Sequence, residues 1–206
     1  DGFSKNLNIE KQEYLSEKRI NIHAETKIQK DTISILTSKV KLEKILLDVS
    51  GNIINGNMLN LNISAKEEEI NQIVTHLPSN IKQIYDPVFL SGQINFNSTL
   101  SGLISKEENP FFKMDYEISN GNFILKSNNF KLSNLKMSGY VNNGKEQNFK
   151  STIIQANEFN ANTENVNITG GFKIENLNNY FLTADFKSSW DLEHLNSFFK
   201  NSPFSK

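Results

Sequence analysis

Alternation of apolar and polar residues is the feature of this 206-residue chain that most constrains its fold. Successive side chains of a β-strand point to opposite faces, so a period of two predicts strands with one apolar face. The intervening positions hold Asn, Lys, Glu, Ser and Thr. The sheet is therefore expected to bury one face and solvate the other, as antiparallel meanders do and doubly wound parallel sheets do not. The clearest runs are residues 20–24, 59–65, 112–118 and 180–186.

Asn-Gly pairs predict where the strands turn. A type I′ hairpin needs positive φ at both central residues, which Asn and Gly tolerate best. Three such pairs lie between alternating runs, so strands adjacent in sequence are predicted to be neighbours in the sheet. The pairs are Asn55-Gly56, Asn120-Gly121 and Asn143-Gly144.

A second recurrent motif is an apolar residue followed by Ser-Gly, any residue and another apolar residue. Glycine at a position where the alternation requires a side chain predicts a bend, a bulge or close approach of two backbones. The sheet is therefore predicted to be curved. The glycines of this motif are Gly51, Gly92, Gly102 and Gly139.

Helical spacing interrupts the strands at two places. Each stripe follows the i, i+3, i+4, i+7 pattern or part of it, and the first has acidic residues before it and Pro78 after it. A further turn is predicted over residues 81–85. The fold class is thus mainly β: a curved antiparallel meander, taco-like or an open sandwich, with two or three short helices. The stripes are Ile70, Ile73, Val74 and Leu77, and Leu192, Leu195 and Phe199.

An internal repeat relates residues 49–78 to residues 168–203. Each stretch has a Ser-Gly or Thr-Gly motif, then an alternating strand, then a helical stripe. Repeats of this kind form stacked units that bury surface against their neighbours. Residues 1–206 are therefore predicted to be a single β-rich module. The abrupt start at Asp1 indicates a fragment of a larger protein.

Charge and composition exclude several partners. Lys and Arg number 22 against 23 Asp and Glu, and the basic residues are scattered, so nucleic acid is not an expected partner. The absence of cysteine excludes disulfides and thiolate metal sites. Apolar runs such as Ile45-Leu46-Leu47 are far shorter than the ~20 residues of a membrane helix, so any anchor is expected outside this fragment.

Chemistry-bearing motifs are missing from the sequence. His23, His76 and His194 are far apart and do not form a metal-binding spacing, and no nucleophile elbow or phosphate-binding loop occurs. Acidic runs such as Glu67-Glu68-Glu69 are interpreted as solvated charges. The chain is therefore predicted not to be an enzyme and to have no catalytic residue, metal or cofactor.

Phenylalanine is abundant, with 15 residues, and many lie on the predicted apolar faces. Two interpretations are open. The Phe side chains fill an ordinary closed core, which the pattern alone favours, or a curved sheet leaves them in an uncovered apolar groove that binds a ligand. The apolar-face set is Phe96, Phe112, Phe123, Phe130, Phe149, Phe159, Phe172 and Phe186.

The order of these motifs over residues 49–143 resembles the AsmA-like family of bacterial envelope proteins of the AsmA/TamB, bridge-like lipid-transfer type. The shared order is a strand, a short helix ending at Leu-Pro, two glycine-bearing strands, an Asn-Gly pair with an aromatic strand, and a further glycine-bearing strand before another Asn-Gly. The matching residues are Leu77-Pro78, Gly92, Gly102, Pro110, Asn120-Gly121, Gly139 and Asn143-Gly144.

The resemblance implies a taco-like sheet with an apolar interior, in the periplasm of a Gram-negative bacterium, with an inner-membrane anchor outside this fragment. It also implies phospholipid or another acyl-chain ligand, a role in phospholipid transport and outer-membrane assembly and integrity, and possible envelope protein partners. The helical stripes would cap an end of the groove. The residues expected to line it are Leu61, Ile63, Phe96, Phe112, Met114, Tyr116, Phe123, Leu125, Met137 and Phe186.

Two other functions compete with lipid binding. A structural or scaffolding envelope domain that binds other proteins would have a closed core instead of an open groove. A carbohydrate-binding or adhesive β-sandwich would need exposed aromatic rings for sugar stacking. Only Trp190 and Tyr180 are candidates for such stacking, so this alternative ranks last.

Overall fold

The computed structural model describes residues 2–9, 12–76, 88–105, 107–127, 130–163 and 166–188, with side chains from Arg19 onward. Its strands follow one another along the chain, and one helix lies between β5 and β6. The elements are β1 Gly2–Ile9, β2 Gln12–Gln29, β3 Thr32–Leu42, β4 Ile45–Ile54, β5 Met58–Glu69, α1 Ile70–Thr75, β6 Val88–Leu103, β7 Phe111–Leu125, β8 Phe130–Asn142, β9 Ile153–Thr163, β10 Val166–Glu175 and β11 Phe181–Ser188.

The described strands form one open, curled sheet in which the spatial order equals the chain order from β1 to β11. Every neighbouring pair is antiparallel. The prediction of a mainly β, curved antiparallel meander is confirmed, and β1 and β11 are its edges. Because the strands belong to a single sheet, the open-sandwich form of the prediction does not apply to the described residues.

The described residues contain one of the two or three predicted helices. Helix α1 spans Ile70–Thr75, with Glu69 as its N-cap and no acidic residue in its first turn. The acidic run directly precedes the helix, as predicted, with Glu67 and Glu68 at the end of β5 and Glu69 at the N-cap. The predicted turn over residues 81–85 and the second stripe at Leu192, Leu195 and Phe199 lie outside the described residues.

The predicted Asn-Gly hairpins are only partly right. Asn55 and Gly56, at φ 52° and 75°, form the turn between β4 and β5 as predicted. Asn120-Gly121 instead lies inside β7, where Asn120 at φ 52° forms a bulge opposite Gly92. The alternation resumes after this pair because a bulge inserts an extra residue without ending the strand.

Asn143-Gly144 begins a long connection over residues 143–152 instead of a two-residue hairpin. The Asn143 side chain extends the hydrogen-bonding pattern of the sheet, because its Oδ1 accepts a hydrogen bond from the Phe112 N–H at 2.9 Å. Its Nδ2 donates to the Pro110 carbonyl at 2.9 Å. The Asn143 side chain therefore fixes the end of β8 against β7, and the turn follows later. Phe149, predicted on a strand face, also lies in this connection.

Three of the four glycines of the Ser-Gly motif, Gly51, Gly92 and Gly139, lie at close approaches of neighbouring backbones, as predicted. Gly102 does not, because a Cβ there would meet no atom nearer than 3.7 Å. Gly51 and Gly92 have φ of 128° and 124°, a region that glycine adopts without strain. A Cβ on Gly92 would lie 2.7 Å from the Gly121 Cα, which is too close for any side chain. A Cβ on Gly139 would overlap the Gln155 carbonyl oxygen of β9. Register shifts lie beside the Gly92 and Gly139 contacts, and bulges of this kind bend a sheet.

Two clusters of buried apolar side chains hold the centre of the sheet. In the first, Ile70 of α1 packs on Ile94, Tyr116 and Ile118 of β6 and β7, with Ile73 and other side chains around it. The second cluster joins β8 and β9 and contains Leu132, Leu135 and Ala161. Helix α1 therefore covers the middle strands on one face of the sheet.

Candidate functional site

Strand register shows that one face of the sheet is mainly apolar from β2 to β11. Directly opposed residues in antiparallel strands point to the same face. A single unbroken row of such partners runs from β2 to β11, and we call the face that carries it the apolar face. The row is Ala24, Ser38, Val49, Ile63, Ser98, Met114, Val141, Ile154, Ile174 and Leu182.

Bulges change the phase of the alternation within individual strands of this face. Register shifts occur in β3 between Ile35 and Ser38 and in β5 between Ala65 and Glu68. On both sides of the β3 shift, apolar side chains still lie on the apolar face, because the extra residue absorbs the change of phase. After the β5 shift, Glu68 opposes Ile94 on that face.

All ten residues predicted to line a groove lie on the apolar face. Phe112 opposes Leu100, Phe96 opposes Tyr116, and Met137 opposes Ile118. Phe186 at the edge opposes Gly170. The structure therefore brings the set together on one surface of one sheet. The set is Leu61, Ile63, Phe96, Phe112, Met114, Tyr116, Phe123, Leu125, Met137 and Phe186.

The residues of this set differ in how far they are packed or exposed. Tyr116 is buried, and Phe96, Met114 and Met137 pack around the cluster under α1. Phe123 packs on the second cluster. Phe186 is 47% exposed on edge strand β11. The central members are thus packing residues of the fold, and the face opens toward its lateral ends.

Large apolar side chains are exposed on this face at both lateral ends. Ile22 and Ile28 of β2 are 66% and 69% exposed, and Leu182 of β11 is 48% exposed. Phe186 makes an edge-to-face contact with Phe159 at a centroid distance of 5.2 Å. Ile22, Ile28 and Leu182 were not among the predicted lining residues, although their place in the alternation was the signal that could have found them.

Tyr116 is the member of the central cluster that carries a polar group. Its hydroxyl donates a hydrogen bond to the Gln155 carbonyl oxygen at 3.1 Å, reaching from β7 to β9. Burial of the ring raises the pKa of Tyr116 from 10.0 to about 12 by desolvating the phenolate. The phenol is therefore neutral at physiological pH and joins β7 to a strand that is not its direct neighbour.

The raised pKa of Tyr116 predicts a pH dependence of stability. Because its folded-state pKa lies above its unfolded-state pKa, the contribution of the neutral phenol is complete below pH 10 and is lost as pH rises toward 12. We expect the natural chain to lose about 2 kcal/mol more unfolding free energy over this window than Tyr116→Phe does. Urea unfolding of both proteins at pH 8 and pH 12 measures this difference. Equal losses in the two proteins would contradict the assignment.

Two of the three histidines lie in described elements, and they are far apart in the sheet and helix. His23 lies in β2 and His76 caps the C-terminus of α1, while His194 is outside the described residues. In the part of the chain that the structure describes, no group of three or more His, Asp or Glu side chains is placed to hold a metal ion. Across the same residues, no helix has the length and apolar character needed to cross a membrane.

Comparison with protein-family models, with curated proteins and with solved structures gave no match.

Proposed function

We propose that this chain is a non-enzymatic lipid-binding or lipid-conducting module of an AsmA-like periplasmic protein, in which acyl chains lie on the apolar face. The observation that supports this proposal is the continuous row of opposed residues across ten strands of a single sheet, in which every residue but Ser38 and Ser98 is apolar. An acyl chain needs a continuous surface from which water is excluded, and the opposite polar face keeps such a carrier soluble.

The dimensions of the face suit an acyl chain. Neighbouring strands are about 4.8 Å apart, so the nine intervals from β2 to β11 span about 43 Å. One leaflet of a bilayer core is about 15 Å thick, since the whole core is about 30 Å. The face as a whole, including the part that α1 covers, is therefore longer than one extended acyl chain, and each methylene that it shields contributes about 0.8 kcal/mol.

Helix α1 divides the available surface. It covers β6 and β7 through Ile70 and Ile73, so the uncovered apolar surface lies on either side of it. One part includes Ile22 and Ile28, and the other includes Phe159 and Phe186. Acyl chains are expected to bind first at these lateral parts, where large apolar side chains are already exposed.

The motif order over residues 49–143 adds the biological setting. It supports a periplasmic location, an inner-membrane anchor elsewhere in the full-length protein, and a role in phospholipid transport and outer-membrane integrity. Other envelope proteins are possible partners in that setting.

Native mass spectrometry tests the proposal, with lipid extraction of the chain purified without detergent from a Gram-negative host. We expect phospholipid to co-purify with the folded protein, because the exposed apolar side chains favour any available acyl chain over water. A lipid-free protein that also fails to take up a fluorescent phospholipid would contradict the proposal. That outcome would favour the structural or scaffolding envelope domain.

A further inference from the structure

The face opposite the apolar face, which we call the polar face, contains an open hollow of about 580 Å³ between β3 and β7. Its floor is a regular array, because register places polar side chains of four neighbouring strands side by side. Ser50 opposes Asn62, and Asn62 opposes Thr99. In the adjoining row Ser64 opposes Asn97. The hollow is thus lined by hydroxyl and amide groups at the strand spacing of about 4.8 Å.

These uncharged groups are available to a ligand. Among the described residues, the side chains of Asn62, Ser64, Asn97 and Thr99 have no hydrogen-bond partner. Each amide offers two donors and an acceptor, and each hydroxyl offers a donor and an acceptor. The array can therefore both donate to and accept from a ligand that carries many hydroxyl groups.

Charge at the hollow is compensated within the protein. Asp48 and Asp115 flank the row of Ser64 and Asn97. Lys39 forms a salt bridge with Asp48, and Lys113 forms one with Asp115 at 2.9 Å. These two acids and two bases cancel, so the hollow has no net charge to attract a strongly anionic or cationic ligand.

The rim adds an apolar contact. Leu36 projects at the bulge of β3, is 52% exposed, and lines the same hollow. A pyranose ring combines hydroxyl groups at its edge with an apolar C–H face. An exposed aliphatic side chain beside an array of amides and hydroxyls can contact both parts of such a ring, although the described lining of the hollow has no aromatic side chain for the stacking expected of a carbohydrate-binding β-sandwich.

We propose that this hollow is a second binding site, separate from the apolar face, and that it takes a neutral oligosaccharide lying across the strands. The pyranose repeat is close to the strand spacing, so successive rings meet successive strands from β4 to β7. Asn62 and Asn97 occupy the middle of the two rows and bind the hydroxyl groups of adjacent rings.

The test is titration of the ¹⁵N-labelled chain with cellotetraose and chitotetraose, followed by NMR. We expect chemical-shift changes confined to β3–β7, and at least tenfold weaker binding by the double variant Asn62→Ala/Asn97→Ala. The matched control is Asn52→Ala/Asn60→Ala, which removes two opposed asparagines of the same face that do not line the hollow. This control should bind as the natural chain does.

Three outcomes would overturn the proposal. The first is no shift change at tens of millimolar tetrasaccharide. The second is equal weakening in the two double variants, which would place the binding elsewhere on the face. The third is tighter binding of tetragalacturonate than of the neutral sugars, which would show that charge governs the site. Spectra of each variant without ligand establish that it is folded.

Discussion

Replacing Gly139 with valine will destabilise the protein by at least about 4 kcal/mol, enough to leave little folded protein. A Cβ at this position would overlap the Gln155 carbonyl oxygen and lie 3.0 Å from the Ala156 Cα. Ala156 is fully buried, and the Gln155 carbonyl also accepts the Tyr116 hydroxyl. The substitution therefore has two effects at once: it separates β8 from β9, and it breaks the hydrogen bond from the Tyr116 hydroxyl to the Gln155 carbonyl.

Gly56→Ala is the control for this effect. Gly56 has φ 75°, and a Cβ there would meet no atom within 4 Å, so alanine adds only backbone strain of about 1–2 kcal/mol. Urea unfolding followed by far-ultraviolet circular dichroism compares the two variants. A Gly139→Val protein as stable as Gly56→Ala would show that β8 and β9 are not as close as described.

The double variant Leu182→Asp/Phe186→Asp will abolish phospholipid binding at the β11 end of the apolar face and so lower the total bound phospholipid by about half, while the protein stays folded. Both side chains lie on the apolar face of β11 and are about half exposed, so charges there cost little in folding. The same carboxylates would have to lose water against an acyl chain, which is strongly unfavourable. Lipid extracted per mole of folded protein measures the effect.

The matched control places the same two charges on the other face of the same strand. Phe181→Asp/Thr183→Asp alters residues that oppose Glu175 and Lys173, so their side chains belong to the polar face. This variant should retain its lipid. If both variants lose lipid equally, the loss reflects damage to the edge strand or added negative charge, and the apolar face is not the binding surface.

Alternation alone was sufficient to identify the faces of the strands. Phe112, Met114 and Tyr116 follow the period of two without interruption, and the structure places them on one face of β7. The same rule extends to Phe186 at the far edge. Face assignment is predictable because it depends only on local geometry and on the burial of apolar side chains.

Strand continuity was harder to predict. Asn120-Gly121 has the composition of a hairpin turn, yet β7 continues through it because Gly92 of β6 leaves room for the bulge. That contact joins residues about 30 positions apart, so no local pattern contains it. The separation of packing residues such as Tyr116 from exposed ones such as Phe186 is also non-local, because it depends on where α1 packs.

The sheet thus presents two chemically different surfaces. The apolar face has exposed side chains such as Ile22 and Phe186 at its lateral ends, which suit acyl chains. The polar face has ion-paired charges, including Lys39 with Asp48, and free amide groups, which suit a neutral hydroxylated ligand. Because the two sites lie on opposite faces, loss of either should leave the other intact.

Photocrosslinking from two adjacent positions tests the central claim most directly. p-Benzoylphenylalanine replaces Phe186 in one protein and Asp185 in the other, and each is irradiated after expression in a Gram-negative host. Both positions are exposed on β11, but Phe186 belongs to the apolar face and Asp185 to the polar face. The account predicts phospholipid adducts from position 186 and none from position 185. Equal labelling at both positions, or labelling from position 185 alone, would contradict it.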